Sequence, residues 1–363
     1  MTTVTRILVN GRFLGQRITG VQRFARELLK GMDALLLEDR ALGERLSLTV
    51  VTPAGTAPSL ALRALKTREV GRFRGQLWEQ LDLPRYAGSD RIVNLCNTAP
   101  LAGRDMIATI YDASVYAVPD AYSLPFRTWY RTLLPRVGRR ARRVVTTSQF
   151  SRQELERYAH IESGRISVIP GSGEHVLAVP ADPQVLERLE LNSRKYALAV
   201  SSFSPHKNLA GVAQAATLLA GRGFDVVLAG DGNPRIFSNT ATGSNGHLRI
   251  AGYVSDGELR ALYENAACFV YPSFYEGFGL PPLEAMTCGC PVVVSHAASL
   301  PEVCGDAGLY CDPSNPADIA RAINRVMRDS SLQDELRCRS TERARTFSWK
   351  RSARSLLDLV LDS

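Results

Sequence analysis

The chain has 363 residues, 45% of them hydrophobic, with 28 glycines, and its 44 Lys and Arg outnumber 36 Asp and Glu for a net charge of +8. That length exceeds the size at which a single core stops growing, so two domains of roughly 150–200 residues each are expected. Seven scattered cysteines, an odd number and mostly inside apolar runs, argue against a disulfide framework and for reduced, buried thiols in a cytosolic protein. Cys288 and Cys290 have the wrong spacing for a zinc knuckle and no histidine cluster beside them, so no metal site is expected there. The N-terminus enters a strand without an apolar signal core, and no apolar run approaches the roughly 18 residues a bilayer span needs, so a cytoplasmic location is expected.

Strand-like apolar runs alternate with amphipathic stretches from end to end, the pattern of parallel sheets covered by helices. Residues 6–10 read as the first strand. The turn over 11–20 leads into a helix with Val21, Phe24, Ala25, Leu28 and Leu29 on its apolar face. That turn lacks the G-x-G-x-x-G spacing of a dinucleotide site. Further strands are predicted at 46–52, 91–95, 106–110, 143–147 and 165–169. The proline- and glycine-rich stretch 170–183 begins an interdomain linker, after which strands are predicted at 196–201, 224–229, 248–251, 267–271 and 291–294. The expected architecture is α/β, with two Rossmann-like, doubly wound parallel-sheet domains facing a cleft. The domains are placed at 1–175 and 176–345, followed by a C-terminal segment 346–363.

Residues 273–290 read SFYEGFGLPPLEAMTCGC and carry the most functional information. A buried strand ends at Pro272, and Pro281 and Pro282 suit the first turn of a helix, where no amide partner is needed. The loop between them therefore sits at a strand-to-helix junction, where ligands bind in doubly wound sheets. The amides of Gly277, Phe278, Gly279 and Leu280 would face the positive end of that helix, a site for phosphate. Glu276 before the turn and Glu284 about one helical turn inside can flank the same ligand, and carboxylates accept hydrogen bonds from hydroxyls. A phosphate between two hydroxyl-rich rings is a nucleotide sugar. The other reading leaves Glu276 on a loop surface and Glu284 on a solvated helix face. Lys207 precedes a helix that Asn208 can cap, at the carboxyl end of strand 196–201, where a lysine can neutralise a diphosphate.

With PHKNL at 205–209, VVLAGDG at 226–232, LPEVCGDAG at 300–308, TTSQFSRQEL at 146–155 and FSWKRSA at 347–353, the Glu276-to-Glu284 segment resembles the signature of the retaining glycosyltransferases of family 4, which have the GT-B fold. The resemblance covers nearly the whole chain and implies that Glu276 contacts donor-sugar hydroxyls, Glu284 holds the ribose hydroxyls and the glycine turn cradles the diphosphate. It also implies that Gly15, Gly20 and Arg23 lie near the donor phosphates and the acceptor, unless they are only turn and helix-start residues. The final helix, 349–361, is expected to pack back on the first domain. Two departures stand out. Ser201 and Ser202 replace an arginine common in the family, leaving His206 as a possible second phosphate ligand or as a solvated loop histidine. In ATIYDAS, Tyr111 replaces a histidine near the reacting sugar, so its hydroxyl either bonds the sugar or belongs to a packed aromatic, and Asp112 is the more plausible acceptor contact.

The resemblance thus implies transfer of a hexose from a nucleoside diphosphate sugar, with GDP-mannose first, to a saccharide or polyprenyl-linked saccharide in surface polysaccharide synthesis. No cofactor and no metal are expected, since the chain lacks an Asp-x-Asp motif. A nucleotide-sugar epimerase of the same fold and a non-catalytic nucleotide-sugar-binding scaffold are the rivals. The run 127–143 holds seven arginines, no acid, and interleaved aromatics and leucines. Peripheral contact with an anionic membrane ranks first for it, a solvated helix face second, and nucleic acid last, because no nucleic-acid-binding signature accompanies the charge.

Overall fold

The computed structural model describes residues 4–56, 60–200, 204–230 and 247–362. The chain divides into two compact units, Met1–Gly171 with Ser348–Ser363, and Ser172–Phe347. The divisions expected at 175/176 and 345/346 fall within four residues of these. The chain joins the second unit earlier because residues 173–178 pack on the helix Leu280–Thr287, where a Cβ on Gly173 would come within 2.5 Å of the Leu283 carbonyl oxygen.

The first unit is a seven-stranded, all-parallel sheet built from β1 (Thr5–Asn10), β2 (Leu46–Pro53), β3 (Lys66–Val70), β4 (Arg91–Asn94), β5 (Met106–Thr109), β6 (Arg143–Thr146) and β7 (Ile166–Val168). Its order is β3-β2-β1-β4-β5-β6-β7, so the direction of winding reverses between β1 and β4. The helix Gly20–Glu38 buries Phe24, Ala25, Leu28 and Leu29. Against it lies the C-terminal helix Trp349–Asp362, close enough that a Cβ on Gly31 would come 2.8 Å from that of Ala353. Trp349 meets Phe24 edge-on at 5.0 Å, and Arg354 pairs with Asp39 at 2.9 Å. The last helix thus belongs to the first unit.

The second unit has six parallel strands, β8 (Tyr196–Val200), β9 (Asp225–Ala229), β10 (Leu248–Gly252), β11 (Cys268–Tyr271), β12 (Val292–Ser295) and β13 (Gly308–Cys311), in the order β10-β9-β8-β11-β12-β13. Every residue of β9, β11 and β12 is buried, as strands covered by helices on both faces must be. The helices Leu209–Leu218 and Pro316–Arg328 close one face around Val212, Ala216, Ile319 and Ile323. The reversal of winding falls between β8 and β11. These strands therefore lie side by side although β9 and β10 separate them in sequence, and the loops that follow them meet at the sheet's carboxyl end.

Two strands, β3 and β13, lie outside the predicted ones, and both are sheet edges. β3 reads KTREV with no fully buried residue, and a charged edge strand protects against unwanted pairing rather than announcing itself by hydrophobicity. β13 is four residues long and begins at a glycine.

Candidate active site

The loop after β11 is built by local backbone rules. Gly279 takes φ +111°, and a Cβ there would come 2.8 Å from Leu300 Cδ2, so both conformation and space call for glycine. Pro281 and Pro282 follow in the first turn of the helix Leu280–Thr287. The buried Ser299 hydroxyl reaches the carbonyls of Phe278 at 2.7 Å and Glu276 at 2.9 Å, fixing the turn from below. The Phe274 amide donates to the His206 carbonyl at 2.8 Å, joining this loop to the one after β8.

That second loop is a helical turn, Pro205–Lys207, ending at Asn208. Asn208 adopts φ +58°, a left-handed conformation that asparagine tolerates. Its side chain accepts the Gly211 amide to cap the helix Leu209–Leu218 and donates to the carbonyls of Pro272 at 3.1 Å and Pro313 at 2.7 Å. So anchored, Lys207 Nζ donates to both Glu276 oxygens, at 2.8 and 2.7 Å, and to the Tyr271 hydroxyl at 3.2 Å. The two side chains are only 19% and 8% exposed. Burial works against the Lys207 charge, but the Glu276 carboxylate and Tyr271 outweigh it and hold the ammonium above its ordinary pKa. The site therefore carries a compact, desolvated ion pair in which the lysine's three donors are all engaged.

His206 lies beside Lys207 in a largely buried position. Burial first, and the neighbouring Lys207 ammonium second, push its imidazole down to about 4, so the ring is neutral at pH 7, with Nδ1 2.9 Å from the Ser204 hydroxyl. The lowered pKa speaks against the second positive charge expected there. Ser202 lies outside the described residues.

Glu284 is buried and held at both oxygens. His175 Nε2 lies 2.9 Å from Oε1, and the Tyr263 hydroxyl donates to Oε2 at 3.2 Å. Neither partner was legible beforehand. His175 sits in the stretch read as linker, and Tyr263 looks like any core aromatic on an amphipathic helix.

In the first unit, Tyr111 takes the packed-aromatic alternative, with its hydroxyl bonded inside the unit. It is buried, its hydroxyl donates to the Leu95 carbonyl at 2.7 Å with the Val21 carbonyl at 3.2 Å, and its ring meets Phe24 edge-on at 5.2 Å. Packing has turned the hydroxyl inward, and burial keeps its pKa well above the ordinary value. Asp112, just beyond β5, accepts the Ser114 amide at 2.8 Å, starting a short helical turn. Gly15 and Gly20 are exposed. A Cβ on Gly20 would meet nothing within 4 Å, and one on Gly15 would touch Thr56 at 3.3 Å. Arg23 sits in the first turn of the helix Gly20–Glu38, its amide on the Thr19 carbonyl. Among the described residues no group of three or more His, Cys, Asp or Glu is placed to hold a metal ion, and all seven cysteines are free.

The chain's sequence matches the family "Glycosyl transferases group 1" over residues 185–347 and "Glycosyltransferase Family 4" over residues 40–172. It is 35% identical over 254 residues to the O-antigen chain mannosyltransferase B of Escherichia coli, a match covering 67% of each chain. It is 24% identical over 334 residues to the O-antigen chain mannosyltransferase RfbU of Salmonella typhimurium, covering 88% of this chain and 90% of that one. Among solved structures, a sucrose-phosphate synthase from Thermosynechococcus elongatus superposes with a TM-score of 0.75 at 18% identity, over 99% of both chains. Two parallel-sheet units, a buried Lys–Glu pair beside a glycine turn, and these matches lead to one conclusion: the chain belongs to glycosyltransferase family 4 and is a glycosyltransferase of the GT-B fold.

Proposed function

We propose that this glycosyltransferase moves a hexose, with mannose the first choice, from a nucleoside diphosphate sugar to a hydroxyl of a saccharide or polyprenyl-linked saccharide, with retention of anomeric configuration, in the synthesis of a surface polysaccharide. The observation that carries the reading is the Lys207–Glu276 pair, set where winding reverses and followed directly by the glycine turn and the helix that bears Glu284. As the bond from the anomeric carbon to the diphosphate breaks, negative charge grows on the departing oxygen. Lys207 and the amides of the glycine turn up to Leu280, just before the two prolines that open the helix, are the groups assigned to meet it, and a single preorganised donor of this kind is worth about 3–4 kcal/mol in the transition state. Glu276 is assigned to hydroxyls of the donor sugar and Glu284 to the ribose, while Asp112 at the carboxyl end of β5 is assigned to the acceptor. Mannose is favoured because two relatives are O-antigen mannosyltransferases. Metal-independence is part of the proposal, with Lys207 as the charge on the leaving group.

The test is thermal shift and calorimetry of the purified protein against GDP, UDP, ADP and their sugar conjugates, with and without Mg²⁺, followed by NMR of the product anomer. A metal-independent response to one nucleotide and a product of retained configuration support the proposal. Conversion of donor without acceptor would identify an epimerase, and no response to any nucleotide would identify a scaffold.

We also propose peripheral binding to an anionic membrane. The helix Leu124–Arg140 exposes Leu124, Phe126 and Trp129 at 65%, 40% and 41% near its start and Arg136, Arg139 and Arg140 near its end, which suits a headgroup layer where each basic residue adds about 1 kcal/mol. Among the described residues no helix is long and apolar enough to cross a membrane. Charge reversal at Arg136, Arg139 and Arg140 should abolish sedimentation with phosphatidylserine vesicles, and unchanged sedimentation would remove the idea.

A further inference from the structure

We infer that His175 and Tyr263 are positioning residues that hold the Glu284 carboxylate ready for a ribose and thereby set a preference for ribonucleotides over 2′-deoxyribonucleotides. The inference rests on the assignment of Glu284 to the donor nucleotide. Three elements far apart in sequence supply the group. His175 lies on the helical turn Glu174–Ala178, Tyr263 on the helix Asp256–Asn265 and Glu284 on the helix Leu280–Thr287, at separations of 109 and 21 residues. The His175 and Glu284 side chains are 6% and 11% exposed, and Tyr263 is fully buried.

Each donor occupies a different carboxylate oxygen, His175 Nε2 on Oε1 and Tyr263 on Oε2. Two such bonds fix both the position and the plane of the group, which a single bond would leave free to rotate. A carboxylate oxygen has two acceptor directions, so each one bonded inside the protein keeps another for a ligand. A carboxylate presenting two oxygens in one fixed plane matches the paired 2′ and 3′ hydroxyls of ribose. Rigid preparation of a hydroxyl acceptor is also what makes a missing hydroxyl costly, because the prepared group is then left unpaired. The anchoring is firm on both sides. Tyr263 packs edge-on against Phe269 of β11 at 5.4 Å, and the backbone just before His175 is pressed onto the helix that carries Glu284 at Gly173.

The experiment is calorimetric titration of GDP and 2′-deoxy-GDP, and of the corresponding uridine pair, into the protein and its variants. The wild type is expected to favour the ribonucleotide by about 10- to 100-fold, the cost of leaving one prepared acceptor unpaired, and Glu284→Gln to lose most of that preference. His175→Ala should weaken GDP about tenfold and leave 2′-deoxy-GDP nearly unchanged, so the preference collapses, and Tyr263→Phe should do the same by about threefold. His175→Gln, which keeps an N–H at similar reach, should restore most of the loss. A variant that is merely less folded weakens both nucleotides alike, so the ratio reports positioning and not stability. If His175→Ala leaves the ratio unchanged while Glu284→Gln removes it, the positioning role is overturned. If Glu284→Gln also leaves it unchanged, the assignment of Glu284 to the nucleotide is what fails.

Discussion

Replacing Lys207 with methionine keeps the length of the side chain and deletes only the ammonium. Glu276, 8% exposed, then loses two charge-assisted bonds of 2.7 and 2.8 Å and stays in a site built to exclude water. Removing one partner of a buried pair costs about 3–5 kcal/mol. The 19% exposure of Lys207 and the freedom of the stranded carboxylate to take up a proton place this case near the lower end, about 3 kcal/mol. For a cooperative unit of this size that is a drop of about 6–12 °C in Tm. Adding Glu276→Gln removes the stranded charge, so the double variant should regain about 2 kcal/mol over Lys207→Met. Urea denaturation and calorimetry at pH 7.5, following the transition of the second unit, would measure both. The folded pKa of Lys207 is raised, so its contribution is complete below the ordinary value of 10.5 and lost only as pH climbs through the higher folded value. That contribution is constant below about pH 9, so any pH dependence of the gap between wild type and Lys207→Met comes from Glu276, and the gap should widen as pH rises while the stranded carboxyl still holds a proton and level off once it is ionised. A single variant within about 0.5 kcal/mol of wild type, or a double variant costing the sum of the singles, would show that the pair is solvated and the reasoning mistaken.

Three further outcomes follow from the same geometry. Glu276→Gln releases Lys207, so nucleoside diphosphate affinity should hold or rise while turnover falls about 10²-fold, whereas Glu284→Ala should weaken the nucleotide itself; equal affinity losses in calorimetry would refute this division of roles. His206 is depressed to about 4 from 6.5, so the unfolded chain binds its proton first and stability should fall by about 2–3 kcal/mol as pH drops through that interval; urea midpoints of His206→Gln that track wild type over the same range would contradict it. Asn208→Ala removes a helix cap, strands the Pro272 and Pro313 carbonyls and puts a Cβ-bearing residue with no local hydrogen bond at φ +58°, so a loss of about 2–4 kcal/mol is expected from chemical denaturation, and a loss below about 0.5 kcal/mol would show the anchor to be dispensable.

Much of the second unit was legible because its instructions are local. Apolar runs such as CFVY and VVVS announce strands buried on both faces, and a proline ends β11 while two more open the following helix. Asn208 as a cap could be read from its place before an apolar helix. Where polarity and burial part company the reading falters, as at β3, a strand with three charged residues among its five. Tyr111 shows a different limit. Its place after a strand is visible, but the direction of its hydroxyl depends on the Leu95 carbonyl and the Phe24 ring, which no nearby residue specifies.

Residue order determined the strands, turns and caps, because backbone preferences of glycine, proline and asparagine and the 2- and 3.6-residue periods act over a few positions. Strand order was decided only when the sheet assembled. By placing β8 beside β11 it brought Lys207 against Glu276 across 69 residues. The same assembly seated His175, 109 residues away, on Glu284. It also set the charges of the site, keeping Lys207 an ammonium and His206 neutral, because desolvation and pairing depend on which groups are packed together in space and not on which are adjacent in the chain.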